Sequence, residues 1–154
     1  MAFVRDLEES DRMIKAIDHL LYVTYPLVRD KRMLLKIMIE TKKTIVSCIN
    51  TILKYEYVNK RIELSRDSKS NLKLFFEKCA PKYEISKIEM KLALDLFELA
   101  EMHRQSQMEF LKDNKVVILS QNMSEKYLTI DKSKEFLNLA KNILQKTKDH
   151  LSEI

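Results

Sequence analysis

A run of 32 residues without glycine or proline constrains this chain more than any other feature. Residues 30–61 read DKRMLLKIMIETKKTIVSCINTILKYEYVNKR, and their apolar side chains recur at steps of three, four and seven. Such spacing forms one apolar stripe on an α-helix of roughly 45 Å, which other helices have to cover. The stripe comprises Leu34, Met38, Ile45, Cys48, Ile49, Ile52 and Tyr55. The sequence therefore predicts an all-α fold.

Glycine is absent from the 154 residues, whereas average usage would give about 11. A P-loop, a dinucleotide-binding turn and a Gly-x-Ser-x-Gly elbow all require glycine, so these enzyme classes are excluded. The two cysteines and three histidines have no zinc-binding spacing, and no Glu-x-x-His sequence occurs. We therefore expect no metal and no cofactor.

Apolar periodicity and capping residues predict an antiparallel up-down bundle in one domain, residues 1–154. Its helices, about five in number, are expected at about 10–24, 30–63, 68–79, 86–112 and 131–151. Ser10 and Asp30 are suitable N-caps, and Ser86 with Glu89 forms the sequence of a capping box. Pro26 disfavours helical geometry at Tyr25, so a break between the first two helices is expected there.

The hydrophobic pattern changes after the fourth predicted helix. Residues 115–121 read KVVILSQ, and the adjacent β-branched side chains favour a strand. Residues 126–130 are a suitable partner, so a small β-hairpin is predicted at about 115–130. A continuous helix through this segment is the alternative.

Positive charge is concentrated in the first half of the chain. Residues 1–80 hold 16 Lys/Arg and 11 Asp/Glu, whereas residues 81–154 hold 12 of each. A basic face of this kind is typical of nucleic-acid-binding proteins, and a solvated lysine-rich helix surface is the alternative. The candidate nucleic-acid-binding residues are Arg29, Lys31, Arg32, Lys42, Lys43, Lys60 and Arg61.

Two pairs of residues are candidates for catalysis. On a helical wheel, His103 and Arg104 fall inside the apolar arc of the fourth helix, where a charged group needs a partner or a cavity. Either they line an anion-binding or proton-transfer pocket, or they reach water at the rim of the bundle. His19 and Arg12, on the first helix, form the second pair.

The predicted helix order and the basic surface resemble the HEPN group of small prokaryotic helical bundles over residues 10–112. Active members of that group carry an Arg followed after four to six residues by a His, and Arg12 and His19 have the six-residue spacing. The resemblance implies a dimeric, metal-independent ribonuclease or a toxin–antitoxin component. In such an enzyme His would accept the 2′-hydroxyl proton and Arg would stabilise charge on the phosphate.

The absence of catalytic motifs favours a non-enzymatic protein that acts by binding a macromolecule. We expect a homodimer or a protein partner, with RNA as a further candidate. The start MAFVRDLEESDR is too charged for a signal peptide, and the apolar runs are shorter than a membrane helix requires. These features predict a cytoplasmic protein that does not bind membranes.

Overall fold

The computed structural model describes residues 2–106 and 108–151 as a helical bundle with a small sheet. A π-helical turn, Leu20–Thr24, joins the helix that ends at His19 to the short helix that begins at Tyr25, so the two form one continuous segment. A second π-helical turn, Phe75–Cys79, extends the helix that ends at Leu74. The all-α prediction, with about five helical segments, is thus confirmed. The helices are α1 (Ala2–His19), α2 (Tyr25–Val28), α3 (Lys31–Val58), α4 (Ser68–Leu74), α5 (Lys87–Gln105) and α6 (Ile130–Leu151).

Helix α3 is the centre of the bundle, in contact with α1, α5 and α6. Its predicted stripe faces inward, because Ile45, Cys48 and Ile52 have no exposed surface and Tyr55 is half-buried. Removing a side chain of that size from water contributes about 1.5–3 kcal/mol. The stripe therefore supplies a large part of the apolar core.

The first helix begins earlier than predicted. Ser10 is not its N-cap but a buried residue within α1, and its hydroxyl donates to Ser47 Oγ at 3.4 Å. Leu7 packs against the core, and Phe3 meets the ring of Tyr55 edge-on at 5.6 Å. These contacts explain why the helix continues toward the N-terminus beyond the best capping residue.

The predicted break at Pro26 is also wrong. The π-helical turn before it shifts the hydrogen bonding, so that the Tyr25 amide donates to the Leu20 carbonyl. This wider turn accommodates the proline, which would otherwise clash with a carbonyl of the preceding turn. The helix ends at Arg29, which is left-handed (φ 53°), and Asp30 then caps α3 as predicted by accepting from the Arg32 amide.

Because the chain has no glycine, other residues take the left-handed conformations that end its helices. Helix α3 ends at Val58, before the predicted residue 63, in a turn where Lys60 has φ 59°. There the Arg61 amide donates to the Glu56 carbonyl and the Lys60 amide to the Tyr57 carbonyl. This is the Schellman arrangement, in which a lysine occupies the usual glycine position.

The capping box of α5 is confirmed, since Ser86 accepts from the Glu89 amide and Glu89 from the Ser86 amide. However, α5 ends at Gln105 rather than near 112. Residues 108–112, which the predicted fourth helix includes, instead form an edge strand. Ser106 stabilises this change of structure by donating to the Leu119 carbonyl at 2.8 Å.

The predicted hairpin is confirmed within a three-stranded antiparallel sheet of order β1–β2–β3. Its strands are β1 (Met108–Lys112), β2 (Lys115–Leu119) and β3 (Glu125–Leu128). Thr129 then caps α6 by accepting from the Lys132 amide at 3.0 Å. Within the described residues, none of the helices combines the length and apolarity needed to cross a bilayer.

Candidate functional site

A groove with a cavity volume of about 500 Å³ lies between α3, α4 and α5. We call it the α3–α5 groove. Its volume lies within the range typical of ligand-binding pockets in proteins. The floor is apolar and consists of Val46, Ile49, Leu53, Leu72 and Phe97. The rim is polar and consists of Lys42, Asn50, Ser68, Lys69, Asn71 and Glu101.

Local hydrogen bonds fix the walls of this groove. Asp67 caps α4 by accepting from the Lys69 amide, and Asn71 is held at both ends of its amide by the backbone of Ser65. These bonds place Leu72 opposite α3. On α3 itself, Val46, Ile49 and Leu53 lie at steps of three and four, so they share one face of the helix.

A second, more polar cleft of about 380 Å³ lies on the other side of Lys42, Val46 and Asn50, between α1 and α3. We call it the α1–α3 cleft. Because these three residues line both cavities, they form a ridge that separates the groove from the cleft. The remaining lining residues of the cleft are Asp6, Lys43, Ser47, Thr51 and Lys54.

Two lysines on the rim of the groove, and one in the α1–α3 cleft, form no ion pair among the residues that the structure describes. Within the described part of the chain, no carboxylate lies within 4 Å of Lys42, Lys54 or Lys69. Glu101, on the opposite rim, is bound by Arg104, and this pairing holds the pKa of the Glu101 carboxyl below its ordinary value. Lys42 adds to the same effect from across the groove. The rim is therefore net positive.

A neighbouring cavity differs in this respect. The cleft of about 370 Å³ between α1 and α6 also has a charged lining, but each of its charged side chains is in an ion pair. Lys141 pairs with Asp18, and Asp11 pairs with both Lys15 and Lys148 at 3.1 Å. The Lys141–Asp18 and Lys148–Asp11 pairs link the two helices, and every lysine of this lining has a carboxylate partner.

The structure separates the predicted nucleic-acid-binding residues into three places. Only Lys42 and Lys43 reach the cavities beside α3, and Lys43 pairs with Glu40 at 3.6 Å. Arg29, Lys31 and Arg32 lie at the start of α3, and Lys60 and Arg61 lie beyond its end. A helix of 28 residues is about 42 Å long, so these groups do not form one continuous basic patch.

Most of these outlying cations have partners within the protein. Arg32 pairs with Asp30 at 2.8 Å, and Lys31 Nζ donates to the Glu109 carbonyl at 3.4 Å. Arg61 Nε donates to a carboxylate oxygen of Glu56.

The two candidate catalytic residues on α5 point in different directions. Arg104 is not inside the apolar arc as predicted, because its side chain is 69% exposed and pairs with Glu101. The helix ends one residue later, so Arg104 reaches solvent at the rim of the bundle. His103 is half-buried, and its Nδ1 lies 2.5 Å from a carboxylate oxygen of Glu109 in β1. This pair links the end of α5 to the sheet.

Arg12 and His19 are both exposed on α1. His19 follows Arg12 by seven positions, which places them on one face of the helix about two turns apart. His19 Nδ1 lies 3.5 Å from the Thr24 hydroxyl. No histidine or arginine lines the α3–α5 groove, the α1–α3 cleft or the cleft between α1 and α6.

The described residues provide no cluster of three or more His, Cys, Asp or Glu side chains suited to a metal ion. Cys48 and Cys79 are both free and buried, and burial raises the pKa of each thiol to about 11. A thiol with so high a pKa is protonated at neutral pH and is a poor nucleophile.

Sequence reasoning missed most of the groove. Lys69, Leu72 and Phe97 come from two helices that meet α3 only in the folded chain. The one local signal is the series Lys42, Val46 and Asn50, four residues apart on a single face of α3. In comparisons with family models, curated proteins and solved structures, no match to this chain was found.

Proposed function

We propose that this protein is a non-enzymatic helical bundle that binds a segment of a partner protein in the α3–α5 groove. The observation that carries the proposal is an apolar floor beside lysines that have no ion pair in the described protein. Amphipathic helices bind to grooves of this kind through apolar side chains spaced three or four residues apart. The lysines favour a segment with acidic residues beside its apolar face.

The dimensions of the groove support the same class of ligand. Its wall on α3 extends from Lys42 to Leu53, which is about 16 Å along the helix axis. A bound helix of three turns has this length. Its apolar residues would contact Val46, Leu72 and Phe97, and its carboxylates would lie near Lys42 and Lys69.

Two synthetic peptides of 12 residues and identical composition test the proposal. One carries leucines on a single helical face with glutamates beside them, and the other has the leucines distributed around the helix. In NMR titrations, we expect only the first peptide to shift the amide signals of Val46, Asn50 and Leu72. Equal shifts with both peptides, or none at millimolar concentration, would contradict the proposal.

RNA binding is the alternative that this titration also examines. A 12-residue polyuridine should leave the three signals unchanged, because the groove has one aromatic side chain and few cations. Stacking on several aromatics is typical of single-strand binding. Shifts with RNA that weaken steeply between 50 and 200 mM salt would favour nucleic-acid binding instead.

The ribonuclease function implied by the HEPN resemblance is a separate prediction. Its candidate residues are His19 with Arg12 and His103 with Arg104. Degradation of single-stranded RNA by the parent protein, and its loss in His19→Ala or His103→Ala, would support it. Under the binding proposal, none of these proteins degrades RNA. We place the binding function in the cytoplasm, a reducing compartment that suits the two free, buried cysteines.

A further inference from the structure

The three-stranded sheet has two faces of different character. Strand register places Glu109, Ile118 and Lys126 on the inner face. There Ile118 is fully buried, Glu109 contacts His103, and Lys126 Nζ lies 3.4 Å from a carboxylate oxygen of Glu98. The inner face is therefore the one that packs on α5.

The outer face is apolar at its centre. Register aligns Phe110, Val117 and Tyr127 in one row across the three strands, and the next row contains Met108, Leu119 and Glu125. Val117 is only 1% exposed but does not belong to the core cluster of the bundle. Met108 and Tyr127 are 57% and 48% exposed. This apolar patch is thus separate from the core.

The two ends of the outer face carry opposite charges. Lys112 and Lys115 lie directly opposite each other at one end, and Glu125 lies at the other. Like charges that face each other across two strands are destabilising. In the described residues, neither lysine has a carboxylate within 4 Å, although Lys115 Nζ lies 5.2 Å from the centre of the Tyr127 ring. The Tyr127 hydroxyl donates to Glu125 at 2.7 Å, but in the described residues neither charged end of this face has an ion pair.

We infer that the outer face of the sheet is a self-association surface that a second copy of this chain covers. A twofold axis across the strands would stack the two outer faces with their strands running in opposite directions. The Phe110–Val117–Tyr127 rows then meet at the centre. The lysine end of each copy lies beside the glutamate end of the other, so Lys115 and Glu125 pair twice. An interface of this symmetry uses the same patch on both copies.

The size of the patch predicts a weak dimer. Five residues by three strands cover roughly 17 by 14 Å, which is less than the approximately 800 Å² that each partner contributes to a typical stable interface. We therefore expect dissociation in the micromolar to millimolar range. This surface lies apart from the α3–α5 groove, so the inference does not depend on the proposed function.

Charge reversal tests the inference by sedimentation velocity, with the full chain between about 5 µM and 1 mM. The unmodified protein should show a monomer–dimer equilibrium. Lys115→Glu or Glu125→Lys alone should weaken it about tenfold, because each variant opposes like charges twice. An equimolar mixture of the two variants should regain dimers at least as tight as those of the parent, because a mixed dimer restores both pairs.

Lys91→Glu, on an exposed position of α5, is the control with the same change in net charge as Lys115→Glu, and it should leave dimerisation unchanged. Thermal melts of each variant confirm that it is folded. A protein that is monomeric at every concentration overturns the inference. So does a dimer that is insensitive to both reversals, or a mixture that does not recover association.

Discussion

Helix α3 has a charged residue buried near its C-terminus and other charged residues open to cavities in its middle. Near its C-terminus, α3 buries Glu56, which is only 1% exposed. Arg61 donates to one of its carboxylate oxygens, and Lys82 Nζ lies 2.6 Å from the other. Burial raises the pKa of the Glu56 carboxyl, but these two cations outweigh burial and hold it below its ordinary value. The negative charge of Glu56 is therefore neutralised by cations of the same chain.

In its middle, α3 presents Lys42 and Lys54 to solvent-filled cavities without ion pairs in the described residues. Glu56 connects the turn after α3 to the segment that carries Lys82, whereas Lys42 and Lys54 form no ion pair with another segment in the described part of the chain. The charged residues of α3 thus include Glu56, which stabilises the fold, and two lysines without ion pairs in the described residues, of which Lys42 would contact the proposed partner. Substitutions should therefore affect stability at one site and binding at the other.

Glu56→Ala should have the largest effect on stability. Removing one member of a buried ion pair leaves its partners uncompensated, at a cost of 3–5 kcal/mol when they are also buried. Arg61 and Lys82 are 43% and 46% exposed and recover hydration, so we expect a loss of about 3 kcal/mol. Urea unfolding measures it. The control, Glu63→Ala at an exposed position, should change stability by less than about 0.5 kcal/mol.

Glu56→Gln sharpens the same point through its pH dependence. At pH 7 the loss of charge-assisted hydrogen bonds should cost about 2 kcal/mol. Because the folded pKa of Glu56 is depressed, its contribution is present above the unfolded pKa of about 4.3 and is lost as pH falls below it. The two unfolding free energies should therefore converge between pH 5 and pH 3. A constant difference over that range would show that the charge of Glu56 does not stabilise the fold.

The sequence was informative where the signal was local. The stripe of α3, the Asp30 cap and the Ser86–Glu89 capping box depend on residues a few positions apart, and all three occur as predicted. The failures arose where distant contacts override local preference. Leu7 and Phe3 extend α1 past Ser10 because they pack on other helices.

The candidate site was harder to predict for a related reason. A helical wheel placed Arg104 in an apolar arc because it assumed that α5 continued to Leu111. Pairing with β2 converts residues 108–112 into a strand, so the arc ends before Arg104 and the side chain reaches solvent. Likewise, the α3–α5 groove needs three helices at once, and no single segment encodes it.

His103→Ala should have an intermediate effect on the free energy of unfolding. The His103–Glu109 pair is more exposed than Glu56, but, unlike Lys42, His103 has a carboxylate partner among the described residues. Their side chains are 23% and 20% exposed. Pairs of this kind contribute about 1 kcal/mol or less. We expect a loss of about 1 kcal/mol in urea unfolding, and a similar loss in Glu109→Ala. If the double variant loses the full sum of both effects, the two residues are not coupled.

Lys42→Glu combined with Lys69→Glu should have the smallest effect on folding and thereby complete the comparison. Neither lysine stabilises a neighbour through an ion pair in the described residues, so the unfolding free energy should change by less than about 0.5 kcal/mol. Affinity for the acidic amphipathic peptide should nevertheless fall about tenfold, because carboxylates beside the groove would then repel those of the ligand. Lys36→Glu with Lys91→Glu, two exposed positions outside the groove, carries the same change in net charge and should leave the affinity unchanged. A large loss of stability in the groove variant would mean that these lysines are structural, like the cations around Glu56, and the division of α3 into a structural end and a binding middle would be wrong.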